Sequence, residues 1–232
     1  MIQSHADGVV RVLTLDRPST RNALTREGLE QLEACLAAAT EPVVYLRGAG
    51  TAFCAGADLA VVNSLDRASA VAFAELGQRV AAALAEYSGA VVAGIDGPAR
   101  GGGLELALAC DLRVATPAAT FAEPGVALGL FGAWGGTGRL PRIVGLGNAM
   151  DLSLSGRVID AATARRMGLV SQVCERPRAI ADEVATAEPG ALRAVARLLR
   201  EPRGREPLER AEAAAFGECI ARSDGPIGES RG

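Results

Sequence analysis

An α/β fold is what the sequence predicts, on three observations. Apolar strand-like runs alternate with segments of helical periodicity, several of those runs end in glycine-containing turns, and 49% of the 232 residues are hydrophobic, enough for one sizeable core. Val9-Val10-Arg11-Val12-Leu13-Thr14-Leu15 is rich in β-branched residues, alternates in part, and stops at Asp16-Arg17-Pro18, so it reads as a strand and a turn. Thr25 is the expected N-cap of the helix that follows, in which Leu29, Leu32, Cys35 and Leu36 recur at helical spacing up to Pro42. Residues 42–47 make a second strand, closed by Gly48-Ala49-Gly50. Residues 69–87 make another helix, and the short continuous apolar run at 90–95 makes a buried strand. After the glycines at 101–103, residues 104–110 are helical and apolar on nearly every side, which marks a buried helix, and 112–115 make the next strand. From Gly145 onward the pattern is mostly helical, at 148–154, 160–167, 178–187, 191–200 and 207–222, broken at 201–207 and ending in a polar, frayed tail over 224–232. The expected organisation is one core, residues 1–188, with a helical extension, 189–232.

Composition removes several chemistries. The formal charge is −3 and the arginines are scattered, so no track for nucleic acid is expected. No run approaches the roughly 18 apolar residues of a membrane span, and the N-terminus has neither a basic stretch nor a long apolar one, so a cytoplasmic location is expected. Five cysteines, odd in number and far apart, suit a reducing compartment better than a disulfide framework or a metal site. The chain has no lysine, so all 24 basic residues are arginine, and its one histidine is His5. Schiff-base chemistry, a phosphate-loop lysine, a serine or cysteine paired with histidine, and a multi-histidine metal site therefore lack their parts. Proton transfer must rest on carboxylates.

Two glycine-containing turns stand out, each after an apolar strand: Phe53-Cys54-Ala55-Gly56-Ala57-Asp58-Leu59 and Gly97-Pro98-Ala99-Arg100-Gly101-Gly102-Gly103-Leu104-Glu105-Leu106. In the second, three glycines open a buried helix, so bare N–H groups at the positive end of the helix dipole are available to an anion or oxyanion. Neither turn has the glycine spacing that seats a dinucleotide pyrophosphate. Glu105 lies one turn past Gly102 among Leu104, Leu106, Ala107 and Leu108. Such surroundings raise a carboxyl pKa toward neutrality, where it can give and take protons. An acidic residue in the first turn also suits the helix dipole without further role, and the residues alone leave both readings open.

These two turns resemble the paired oxyanion-hole loops of the crotonase superfamily, the enoyl-CoA hydratase/isomerase family. The resemblance continues in Arg17-Pro18 with Asn22-Ala23-Leu24, in Cys110-Asp111-Leu112-Arg113-Val114-Ala115, in Gly135-Gly136-Thr137-Gly138-Arg139-Leu140-Pro141-Arg142, and in Met167-Gly168-Leu169-Val170. Together the segments span roughly residues 8 to 175 in order, which is far more specific than a lone glycine motif. The resemblance implies a spiral of ββα units with a C-terminal helical region, and an acyl-CoA thioester as substrate with no separate cofactor. It implies the backbone N–H groups of Ala57 and Gly102 as oxyanion donors; in a protease, one such donor is worth about 2.7–4 kcal/mol. It implies Glu105 as acid/base, and a substrate groove along Arg21, Asn22, Ala23, Leu24, Ala55, Gly56, Asp58, Leu59, Gly101, Pro124 and Gly125. Arg21 reads equally well as a solvated turn residue. A homotrimer or hexamer is also implied, with a C-terminal region shorter than usual.

One departure bears on the reaction. Family hydratases carry a second glutamate where this chain has Gly125, in Thr120-Phe121-Ala122-Glu123-Pro124-Gly125-Val126. Glu123 reads first as a structural or surface carboxylate and second as a stand-in, because on a continuing strand it differs in depth from residue 125 by roughly 6–7 Å. Hydration, a double-bond shift or another enolate reaction run by Glu105 all fit. A protein that binds acyl-CoA without turnover is the alternative. Trp134 reads as an aromatic packed at a core or subunit contact rather than as a wall of the acyl pocket.

Overall fold

The computed structural model describes residues 1–200 and 205–221. Its elements in chain order are β1 (Ile2–Asp7), β2 (Val10–Leu15), α1 (Arg26–Ala38), β3 (Val43–Gly48), α2 (Leu59–Val62), α3 (Arg67–Ala85), β4 (Ala90–Ile95), β5 (Pro98–Arg100), α4 (Gly102–Ala109), β6 (Leu112–Ala115), β7 (Thr120–Ala122), α5 (Gly136–Val144), α6 (Leu146–Ser155), β8 (Ile159–Asp160), α7 (Ala161–Arg166), β9 (Gln172–Val173), α8 (Pro177–Val184), α9 (Pro189–Arg200) and α10 (Arg205–Ala221). The larger sheet runs β1-β2-β3-β4-β6-β9 and the smaller β5-β7-β8. β1 pairs antiparallel with β2, and every later pairing in the larger sheet is parallel.

The larger sheet is covered on both faces, which is why its strands read as apolar runs. Val10, Val12, Val43, Tyr45, Val92 and Val114 turn toward α8, while Leu13, Leu15, Val44, Leu46, Val91, Ala93 and Ile95 join the main core with α1, α3 and α4. The chain then advances by a repeated step: a strand enters the larger sheet, a short strand or bridge adds to the smaller one, and a helix returns. β4, β5 and α4 make one such unit. β3 with the Cys54–Ala99 bridge makes another, and β6 and β7 a third. This is the spiral of ββα units.

Helix starts follow local chemistry. The Thr25 hydroxyl accepts from Gly28 N–H at 3.2 Å, as expected, and Asp66 with Ser69 forms a reciprocal capping box for α3. β1 is an unforeseen edge strand joined to β2 through Gly8 at φ +60°. α5 is equally unforeseen, because it carries Gly136, Gly138 and an internal Pro141. The strand that opens the 120–126 segment ends at Ala122, and Pro124 opens a 3₁₀ turn over Pro124–Leu128. Residues 201–204 of the expected break, the last residue of the 207–222 helix and the tail at 224–232 lie outside the described residues. No helix among the described residues is long and apolar enough to cross a membrane.

Candidate active site

The two glycine turns meet edge to edge. Cys54 bridges Ala99, Leu24 bridges Ala57, Arg100 N–H donates to the Cys54 carbonyl at 2.9 Å, and Leu24 N–H donates to the Gly56 carbonyl at 2.8 Å. A Cβ on Gly56 would stand 2.7 Å from the Arg100 carbonyl oxygen and 3.0 Å from Gly102 N, so only glycine lets the loops approach this closely. Among the described residues, neither the Ala57 N–H nor the Gly102 N–H, at the first position of α4, has an acceptor within the chain. Both residues line one cleft of about 350 Å³.

Glu105 and Glu123 line the same cleft. Glu105 is 1% exposed, and its Oε1 accepts from Trp134 N–H at 2.8 Å and Gly136 N–H at 2.7 Å. Burial raises its pKa, and those two N–H groups and the charge of Arg139 oppose the rise. Gly132 and Gly136 are required by this contact, since a Cβ on either would fall 2.8 Å from the carboxyl group. Glu123 is neither a surface group nor a structurally satisfied one, as the sequence suggested. It is 8% exposed, makes no hydrogen bond among the described residues, and leaves Oε1 buried without a partner. Burial, then the charge of Glu105, pushes its pKa up to about 8. The two N–H donors favour the charged form of Glu105, whereas Glu123, with no donor, is left to the full effect of burial.

Gly125 is packed closely on one side. A Cβ there would stand 3.0 Å from both the Leu130 carbonyl oxygen and Phe131 Cα. Because the strand stops at Ala122, Glu123 and not residue 125 delivers a carboxyl group to the cleft. The remaining walls are apolar: Val62, Leu65, Phe73 and Ala74 on one side, Leu128, Leu130 and Phe131 on the other. Trp134 is 3% exposed and wedged between Gly77 and Gly102, edge-on to Phe73 with ring centroids 5.8 Å apart, and it also lines the cleft. It is therefore both the packed aromatic the sequence predicted and the pocket wall it did not.

The other sequence-predicted site residues divide in two. Ala55, Gly56, Leu59, Gly101, Pro124 and Gly125 line the cleft. Asn22, Ala23 and Leu24 are buried and do not line it. The Asn22 amide donates to the carbonyls of Ala49, Ala52 and Phe53, and its Oδ1 accepts from Arg17 N–H. Asp58 is committed to Arg17 at 2.8 Å and to Ala60 N–H, which hold its pKa down. Arg21 is exposed, in the left-handed region at φ 54°, and its charge reaches Arg100. The holders of Glu105, the N–H groups of Trp134 and Gly136, are missing from the sequence reading. The glycines of Gly132-Ala133-Trp134-Gly135-Gly136 are the signal that could have found them.

Residues 5–210 match the family described as enoyl-CoA hydratase/isomerase. The chain is 40% identical over 178 residues to a crotonyl-CoA hydratase of Syntrophomonas wolfei, covering 75% of this chain and 68% of that one. It is 34% identical over 233 residues to a short-chain-enoyl-CoA hydratase of Clostridium acetobutylicum, covering 94% and 88%. The crystal structure of a Bacillus anthracis enoyl-CoA hydratase superposes with a TM-score of 0.90 at 31% identity, covering 96% of this chain and 92% of that one. With the spiral fold, the paired loops and a buried glutamate at the start of α4 all present, the chain belongs to the enoyl-CoA hydratase/isomerase family.

Proposed function

We propose that the protein hydrates the double bond of 2-enoyl-CoA thioesters, with the coenzyme A as part of the substrate and no further cofactor. The observation that carries this reading is a pair of buried carboxyl groups in one cleft, Glu105 held by two N–H donors and Glu123 by none, beside two unengaged N–H groups. The thioester carbonyl oxygen accepts from the Ala57 and Gly102 N–H groups, which matter most when charge develops on it. Glu105 takes a proton from water as the water oxygen bonds to the β-carbon. Glu123 gives its proton to the α-carbon as the enolate collapses, so the thioester gains one water and the carboxyl pair exchanges roles until a proton returns through solvent. The pantetheine arm runs along Ala55–Leu59 and over Asn22–Leu24, and Arg21 meets a phosphate of the nucleotide.

The body that binds substrate is residues 1–188, and 189–232 is an extension. Homotrimeric or hexameric assembly is supported by Leu146, Met150 and Leu154, which form an exposed apolar stripe on α6, and by exposed Val195 and Leu199 on α9. The cytoplasmic assignment is supported by free Cys35, Cys54, Cys110 and Cys174. The decisive experiment is the loss of enoyl-thioester absorbance on mixing the protein with crotonyl-CoA, with Glu105→Gln and Glu123→Gln beside it. Loss abolished by Glu105→Gln and strongly slowed by Glu123→Gln is expected. Thermal stabilisation by CoA with no turnover of 2-enoyl or 3-enoyl thioesters would overturn the enzymatic reading.

A further inference from the structure

The turn that holds Glu105 is itself gripped from outside. Gln78 on α3 donates from Nε2 to the Ala133 carbonyl at 2.9 Å, and Arg139 on α5 donates from Nη1 to the Trp134 carbonyl at 3.0 Å. The Ala133 carbonyl and the Trp134 N–H belong to one peptide plane, so Gln78 and Glu105 hold its opposite ends. Planarity of that bond makes the grip directional: turning the carbonyl away turns the N–H away from Glu105. Arg139 can reach back only because Gly135, at φ +100°, has no side chain; a Cβ there would stand 2.2 Å from Arg139 Nη1. The indole of Trp134 docks on Gly77, the neighbour of Gln78, which fixes the same turn against α3.

We propose that Gln78 and Arg139 are positioning residues for proton transfer at Glu105, Gln78 aiming the Trp134 N–H through the Ala133 carbonyl and Arg139 fixing the next peptide, which precedes the one that offers the Gly136 N–H. This rests on Glu105 being the acid/base of the proposed reaction. The charged groups facing Glu105 are Glu123, at the start of the 3₁₀ turn, and Arg139, which is itself flanked by Arg142 and Glu86. The α3 surface facing it, with Phe73, Leu76 and Gly77, carries no charge. N–H donors and a guanidinium both favour the carboxylate, so loosening the turn or removing the cation lets Glu105 keep its proton to higher pH.

The test is kcat and KM for crotonyl-CoA, measured from about pH 5 to about pH 10, in Gln78→Ala, Arg139→Gln and Arg139→Lys. In Gln78→Ala we expect kcat to fall at least about threefold with KM nearly unchanged, and the acid limb of the kcat profile to move up by about half a pH unit. Arg139→Gln should move the limb further, and Arg139→Lys, which keeps the charge, should recover part of that movement. Gln78 is exposed, so its truncation spares the fold and keeps the idea refutable should Arg139→Gln unfold. An unmoved limb in Gln78→Ala, whether or not kcat falls, overturns the proposal. If Glu105→Gln retains full turnover, the reaction proposed above fails instead, and the two failures are distinguishable.

Discussion

Replacing Glu123 by glutamine should make the protein more stable as it makes it less active, and the gain should grow with pH. Burial raises the Glu123 pKa from 4.5 to about 8. Below about pH 4.5 the folded and unfolded chains both hold this proton. Above it the unfolded chain releases the proton while the folded one keeps it, so the folded state loses stability until its own carboxyl ionises near pH 8. At about 1.4 kcal/mol per pH unit, the interval corresponds to roughly 5 kcal/mol as an upper bound, and a few kcal/mol is a realistic expectation. Glutamine has the same shape and no titration, so Glu123→Gln should match the wild type near pH 4.5 and exceed it by a few kcal/mol near pH 8. Urea unfolding at those two values measures the difference. Parallel stabilities for the two proteins across the range would show that Glu123 titrates normally, and with that its role as proton donor near neutrality would fail.

Three further outcomes follow from the same geometry. Gly136→Ala should cut kcat by about 100-fold or more, because its Cβ would fall 2.8 Å from Glu105 Oε1 and displace the carboxylate from the cleft; steady-state kinetics on crotonyl-CoA report it, and wild-type kcat would refute the contact. Gly125→Glu should not improve hydration and should cost about 1–3 kcal/mol, since its Cβ meets backbone at 3.0 Å on the Leu130–Phe131 side; faster turnover with unchanged melting would refute it. Trp134→Leu should open space beside Gly102 and shift the preference toward longer acyl chains, read as the ratio of kcat/KM for 2-decenoyl-CoA to that for crotonyl-CoA, and an unchanged ratio would show that the indole does not bound the acyl pocket.

How much of this was legible in the sequence depends on whether a feature is written in side chains. β4 was legible to the residue because both its faces are buried, giving an unbroken apolar run over Ala90–Ile95. β1 was not, because an edge strand with five of its six residues exposed needs no apolar pattern. α5 hides behind two glycines and a proline, and its packing on α4 overrides their low helix propensity. At the site, the glycine loops and Glu105 were visible as composition. Its holders were not, because a backbone N–H has no side-chain signature and is offered by a turn some 30 residues away.

The same distinction bears on Gly125. The family pattern puts a second glutamate at Gly125, and Glu123 is a poor stand-in for it only along a strand that the chain does not continue. Pro124 cannot donate to a ladder, and the chain curls at once into the 3₁₀ turn over Pro124–Leu128. Once it curls, Glu123, Pro124 and Gly125 all line the cleft, and Glu123 brings the carboxyl group. The neighbouring wall lies close over Gly125, so a side chain there would press on the backbone of Leu130 and Phe131. Glu123 thus comes to share a cleft with Glu105, deprived of hydrogen bonds while Glu105 has two. That inequality of donors gives two otherwise similar acids different surroundings, and it is set by where a turn places its peptide planes rather than by which acidic residue the sequence spells.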